Sequence, residues 1–242
     1  MASMARLYVA SDLQAGADLA LDEAAAHYLR HVLRLGEGAA LRLFNGRDGE
    51  YAASLGLAGK RGAMVRLGEQ TRPYRGPRDL WLCFAPIRQG RIEFLIEKAT
   101  ELGAARLVPV LTQRTQMRQI NAGRLEAHVK EAAEQCERLD LPALAPLVPL
   151  ETLLAQWPAE RRLFACLERQ AAPGLLAALQ GLPPGGPLAI LIGPEGGFAP
   201  EEAERIVARE FVTPVSLGET ILRAETAALA ALALAQAVLS GP

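Results

Sequence analysis

Residues 193–197, Gly-Pro-Glu-Gly-Gly, end an apolar run (LAILI, 188–192) and stand three residues ahead of a helical pattern opening at Pro200. A glycine-rich turn between a strand and a helix ordinarily cradles phosphate on backbone N–H groups. Here Pro194 removes one donor, and Glu195 would repel a pyrophosphate. A Walker loop would need Gly-Lys-Ser/Thr after a strand, and the chain has none. A cationic or neutral ligand suits the loop better. Glycines let the backbone approach an adenine or a ribose, and a carboxylate favours a nearby positive charge. The same residues also suit a plain tight turn, with Pro200 at the first helical position and Glu201 and Glu202 in the first turn. Two other strand ends are marked by unusual residues: Leu167-Glu168-Arg169 and the segment from Leu217 to Arg223. His27 and His31 lie one helical turn apart, but the run is HYLRH rather than H-E-x-x-H and has no third ligand nearby, so no metal site is expected.

The elements that must position these loops are set by hydrophobic period. Residues 1–70 read as β structure. LRLFNGRDGEYAASL (41–55) is a hairpin built around Asn45-Gly46 and Asp48-Gly49, and MVRLGE (64–69) is a further strand. One helix interrupts them, with Ala25, Leu29, Val32 and Leu33 inward and Gly36 as its stop. That combination predicts a small barrel with one helix. TRPYRGPRD (71–79) reads as a linker. Beyond it strands alternate with helices: strands at 81–87, 106–112, 161–167, 188–192 and 211–217, helices at 91–104, 125–139, 173–182, 200–210 and 224–239. Such alternation predicts a parallel α/β sheet covered on both faces, whose ligands sit beyond the C-terminal ends of its strands. Two domains are expected, residues 1–72 and 73–242.

The composition bounds the setting. The chain has 242 residues, is half hydrophobic and carries a net charge of −1, which excludes a uniformly basic nucleic-acid binder. Positive charge is nonetheless concentrated. Arg72, Arg75, Arg78, Arg88 and Arg91 fall in one stretch with a single acid, Asp79, and Arg114 and Arg118 come after the second strand of the α/β part. These seven arginines are candidate RNA contacts, with solvated linker charge as the alternative. Tyr74 could stack on a base, whereas Trp81 lies in an apolar strand and reads as core. Three separated cysteines, Cys83, Cys136 and Cys166, build no disulfide framework, and no segment is apolar enough for a signal peptide or a membrane span. A cytoplasmic protein is expected.

LIGPEGGF (191–198) and then LGETILRAETAAL (217–229) resemble the RsmE family of small-subunit ribosomal RNA uridine N3-methyltransferases, in the SPOUT superfamily. HYLRHVLRLGEGAALRLFNG (27–46) is similar to that family's PUA-like RNA-binding barrel. EFLIEKATELGAARLVPVLTQR (93–114) and EAAEQCERLDLP (131–142) are similar to the first half of its catalytic domain. The resemblance implies S-adenosylmethionine as methyl donor, a C-terminal trefoil knot in the parallel sheet, and a homodimer acting on 16S ribosomal RNA within the 30S subunit. It also implies cofactor binding by Leu167, Ile192, Gly193, Gly196, Gly197, Leu217, Gly218, Ile221, Leu222 and Thr226. Glu195 is a further cofactor candidate, stabilising the sulfonium by its charge, with a solvated turn carboxylate as the alternative. At Glu219-Thr220 the chain departs from the pattern, which more often carries arginine at the second position.

Methylating uracil N3 requires removal of its proton and stabilisation of charge spreading onto O2 and O4. Arg223 is the expected oxyanion partner. Glu225 is expected to accept the proton or to hold Arg223 in place. A helix-terminal ion pair is the structural alternative for the two. A ribose 2′-O-methyltransferase of the same superfamily and a non-catalytic RNA-binding protein on this fold are the competing functions.

Overall fold

The computed structural model describes residues 4–59, 62–168, 172–182 and 186–240, which divide into two compact units. Arg169 and Lys60 lie outside the described residues.

In the first unit, alternating side chains build one sheet. β1 (Ala5–Tyr8), β2 (Asp18–Ala20), β3 (Ala40–Phe44), β4 (Glu50–Ala58) and β5 (Gly62–Arg72) pair in the order β1-β3-β4-β5-β2. Leu7, Leu41, Leu43, Leu55, Val65 and Leu67 pack inward against Ala25, Ala26 and Leu29. The β3–β4 connection is the hairpin read from Asn-Gly and Asp-Gly, with Phe44 opposite Glu50. Gly49 is obligatory there: its φ is +89°, and a Cβ would lie 2.3 Å from the Arg72 carbonyl oxygen. β5 runs to Arg72, so the start of the expected linker is strand.

The helix differs from expectation. α1 (Glu23–His27) is capped by Asp22, whose Oδ1 accepts from Ala25 N at 2.7 Å, and it continues as a π turn over Tyr28–Val32. The wider turn carries an extra residue and rotates the side chains downstream of it. Val32 and Leu33, expected inside, are therefore exposed, and the element ends before Gly36.

This first unit comprises Met1–Gly76 together with a distant segment, Ala133–Leu141. Arg6 holds that segment by donating to the carbonyls of Ala133, Glu134 and Arg138, each at 3.0 Å. Tyr74 donates its hydroxyl to Asp140 at 2.8 Å. At the centre lies Glu50, fully buried, which receives Arg6 at 2.8 Å, Arg42 at 2.8 Å, Arg72 at 2.7 Å and the Thr71 hydroxyl at 2.8 Å. Burial pushes this carboxyl up, but hydrogen bonds from Arg72, Arg42, Thr71 and Arg6 outweigh it and hold the group at about 2, against an ordinary 4.5.

The second unit is the α/β layer structure. β6 (Leu80–Phe84), β7 (Arg106–Leu111), β8 (Ala143–Leu144), β10 (Arg162–Cys166), β11 (Leu188–Ile192) and β12 (Val212–Val215) form a parallel sheet ordered β12-β10-β11-β6-β7-β8, with β9 (Val148–Pro149) also on β7. The helices are α2 (Arg91–Glu101), α3 (Ala122–Gln135), α4 (Leu150–Ala155), α5 (Leu175–Gln180), α6 (Pro200–Val207) and α7 (Ala224–Ser240). Every residue of β11 is buried, as an unbroken apolar run in a central strand requires. Alternate residues Cys83, Val108, Leu163, Ala165, Ala189 and Leu191 pack with Leu150, Leu153 and Leu154 of α4 and Ile206 of α6. α7 packs on β6, β11, α2 and α5. Trp81 is partly buried, edge-on to Trp157 and covered by the Arg161 guanidinium at 3.8 Å, so its ring is occupied within the protein.

Candidate active site

Parallel register brings three strand ends together. Cys166 of β10 lies opposite Ile192 of β11 on one side and Val215 of β12 on the other. The chain therefore leaves three neighbouring strands at the same level, and the three segments beyond them enclose a cleft of about 910 Å³. Ten of the eleven cofactor residues expected from sequence line it: Leu167, Ile192, Gly193, Glu195, Gly196, Gly197, Leu217, Gly218, Ile221 and Leu222. Thr226 is exposed on α7 and is not among the lining residues.

The glycine loop is a tight turn. Gly197 N donates to the Pro194 carbonyl at 2.8 Å, and Gly197 has φ of +68°. At Gly193 the constraint is space: a Cβ would sit 2.9 Å from Cε2 of Phe198, whose ring packs on the sheet core. The third segment is folded by Ser216, whose Oγ accepts from Gly218 N at 3.1 Å. Cys166 also lines the cleft, and burial pushes its thiol up to about 12, so it presents a neutral wall.

A fourth segment joins these three. After β7, Thr115 N donates to the Thr112 carbonyl, Thr112 N donates to Thr115 Oγ1 at 3.0 Å, and both threonines are buried. Their turn projects Arg114 into the cleft lining, where Nη1 donates to the Gly196 carbonyl at 2.8 Å. Buried Glu202 fixes the arrangement: Oε2 accepts from Ala199 N at 3.0 Å, and Oε1 accepts from Gln113 N at 2.8 Å. Ala199 cannot cap α6 with its own side chain, so Glu202 satisfies that helix start by reaching back. Sequence reasoning missed this bond, although Pro at the first position with Glu two residues later is a visible signal; the contact with Gln113 has none.

The two expected catalytic residues stand at the start of α7, between lining residues Leu222 and Ala227, but neither is among the lining residues. Arg223 is exposed. Glu225 does not pair with Arg223. Its Oε1 lies 3.7 Å from Arg91 Nη1 at the start of α2, and its Oε2 is buried without a hydrogen-bond partner among the described residues. Residues two apart on a helix project in different directions, which corrects the expectation that Glu225 holds Arg223.

The seven arginines separate by environment. Arg72 is committed to Glu50 and donates to the Glu137 carbonyl at 3.0 Å. Arg78 donates to the Gln236 carbonyl at 3.4 Å, Arg91 faces Glu225, and Arg114 bonds Gly196. Arg75, Arg88 and Arg118 are exposed and have no side-chain partner among the described residues. Tyr74 has its hydroxyl on Asp140, while His27 and His31 sit as exposed rings with centroids 4.9 Å apart.

Residues 75–236 match the RNA methyltransferase domain family, and residues 21–67 match the RNA methyltransferase PUA domain. The ribosomal RNA small subunit methyltransferase E of Rickettsia conorii is 34% identical over 94% of this chain and 93% of its own length. The chain belongs to the RsmE family. Its Synechocystis relative of the same name is 36% identical over 97% of this chain and 78% of its own length. The crystal structure of the Neisseria gonorrhoeae enzyme, bound to S-adenosyl methionine, superposes with a TM-score of 0.86 at 28% identity, covering 98% of both chains.

Proposed function

We propose that this RsmE-family chain transfers the methyl group of S-adenosylmethionine to N3 of a uridine in small-subunit ribosomal RNA. The observation that carries the reading is the convergence of three strand-end segments on one cleft, with glycine where a side chain would strike Phe198. The cleft fits the cofactor. Glycine backbone can approach an adenosine closely, the Cys166 thiol is neutral, and the carboxylates of Glu168, Glu195 and Glu219 suit a cation. When bound, the cofactor supplies an electrophilic methyl group on a sulfonium.

The chain's own residues supply the rest. The loops at 167–168, 192–197 and 217–222 bind the cofactor and exclude water from it. Arg223 stabilises negative charge developing on the uracil oxygens. Glu225, whose Oε1 lies 3.7 Å from Arg91 Nη1, accepts the N3 proton. Residues 1–72 place the RNA as a PUA-like domain, and residues 73–242 carry the chemistry. Arg75, Arg88 and Arg118 neutralise phosphate. The enzyme works in the cytoplasm as a homodimer with a knotted C-terminal chain, on 16S RNA within the 30S particle. The half-buried apolar residues Leu229, Val238 and Leu239 of α7 support subunit contact.

Incubation with labelled cofactor and unmodified 30S particles, then nucleoside digestion, tests the reading. The expected product is 3-methyluridine. A 2′-O-methylated nucleoside, or no transfer to any RNA, would overturn it.

A further inference from the structure

The charges around the cleft are uneven. Among the described residues that line it, three are acids (Glu168, Glu195 and Glu219) and one is a base, Arg114. S-adenosylmethionine is uneven in the same sense, with a sulfonium and an ammonium against a single carboxylate. Three carboxylates can favour the two cations, but they oppose the anion wherever it lies. Of the described lining side chains, Arg114 alone can receive it with a full positive charge.

Arg114 is built for such a task. It projects from a turn closed by two buried threonines, and its neighbour Gln113 is bonded through the backbone to buried Glu202. Its guanidinium is pinned at one corner, where Nη1 donates to the Gly196 carbonyl at 2.8 Å. No other partner engages it among the described residues, so Nε and Nη2 keep their donors. A guanidinium held at one nitrogen and open along another edge presents the planar pair of N–H groups that matches a carboxylate. An arginine placed for phosphate on an open surface needs neither the threonine turn nor the link to the cofactor loop.

We propose that Arg114 anchors the carboxylate at the amino-acid end of the cofactor, and is a cofactor contact rather than an RNA contact. The proposal rests on the reading of the cleft as the S-adenosylmethionine site. Because the donor and its demethylated product, S-adenosylhomocysteine, share that carboxylate, Arg114 grips both. Discrimination between them falls to the acids, which face a sulfonium in one and a neutral sulfur in the other.

Calorimetric titration of the full-length protein tests this with three ligands: S-adenosylmethionine, S-adenosylhomocysteine and decarboxylated S-adenosylmethionine. Arg114→Gln should raise the Kd about tenfold for the first two, the loss of one charge-assisted contact. It should change the Kd for the decarboxylated ligand less than about twofold, and Arg114→Lys should recover part of the loss. Arg114 is exposed, so the variants should melt with the wild type. Equal weakening for all three ligands would overturn the proposal and leave Arg114 as a brace for the Gly196 carbonyl. Unchanged cofactor binding with a reduced salt dependence of RNA binding would overturn it in favour of a phosphate contact. A wild-type protein that binds none of the three would defeat the cofactor reading itself, a result distinct from either.

Discussion

A methyl group added at Gly193 would meet the Phe198 ring at 2.9 Å, whereas one added at Gly196 would touch only the stem of Arg114 at 3.6 Å. The two glycines of one loop therefore predict different outcomes. Gly193→Ala must displace a packed ring, costing about 1–3 kcal/mol in denaturant unfolding and weakening cofactor binding. Gly196→Ala should unfold like the wild type. Equal effects would mean that backbone freedom, rather than room for Phe198, is what position 193 requires. At Arg223 the expectation is kinetic. Arg223→Ala should keep cofactor affinity by titration and lose about 10²–10³-fold in methyl transfer, the range for removing one oxyanion donor. Unchanged turnover would remove Arg223 from the mechanism. At this scale the sequence was legible where function rests on backbone, as at Gly193 and Gly218, which line the cleft. It was illegible where function rests on a distant pairing. Nothing local to Glu202 points to Gln113, and nothing near Glu225 points to Arg91.

Among the elements, β4 carries the least ordinary residue, a carboxylate at the start of a strand buried among three guanidinium groups. Replacing it leaves those cations without their counter-charge. Glu50→Gln should destabilise the first unit by about 3–5 kcal/mol, as removing one partner of a buried ion pair does. The pH dependence has a definite sign. The folded-state value near 2 lies below the ordinary 4.5, so the folded protein binds fewer protons there, and Glu50's contribution is complete above about pH 4.5 and drains away toward pH 2. Thermal melts through that window should fall more steeply for the wild type than for Glu50→Gln; parallel curves would show that other carboxylates dominate. Long elements announced themselves: β11 by five apolar residues in a row, α2 by Ile92, Leu95, Ile96 and Ala99 on one face. β8 and β9, with two residues each, have no period to detect, and the six-residue α4 was missed with them. The π turn after α1 hid Val32 and Leu33 from a reading based on 3.6 residues per turn. The arginine-rich stretch blurred Arg72, a structural ligand of Glu50, with neighbours that face solvent.

For the whole molecule, chain order and spatial grouping disagree. The first unit needs Ala133–Leu141, separated from Gly76 by 56 residues of the second. A fragment of residues 1–76 would lack the three carbonyls that Arg6 bonds and the carboxylate that receives Tyr74. It is expected to show no cooperative unfolding by circular dichroism, while the full chain does. A sharp transition in the fragment would show that the five strands suffice.

Arg6 thus writes a rule of inheritance into the gene. A module that closes on itself can be cut out and spliced beside a new neighbour, but this one borrows its last nine residues from inside the adjoining enzyme. Recombination at its boundary would strip Arg6 of the three carbonyls it bonds and leave it only Glu50, so the pair should pass between genomes intact or not at all.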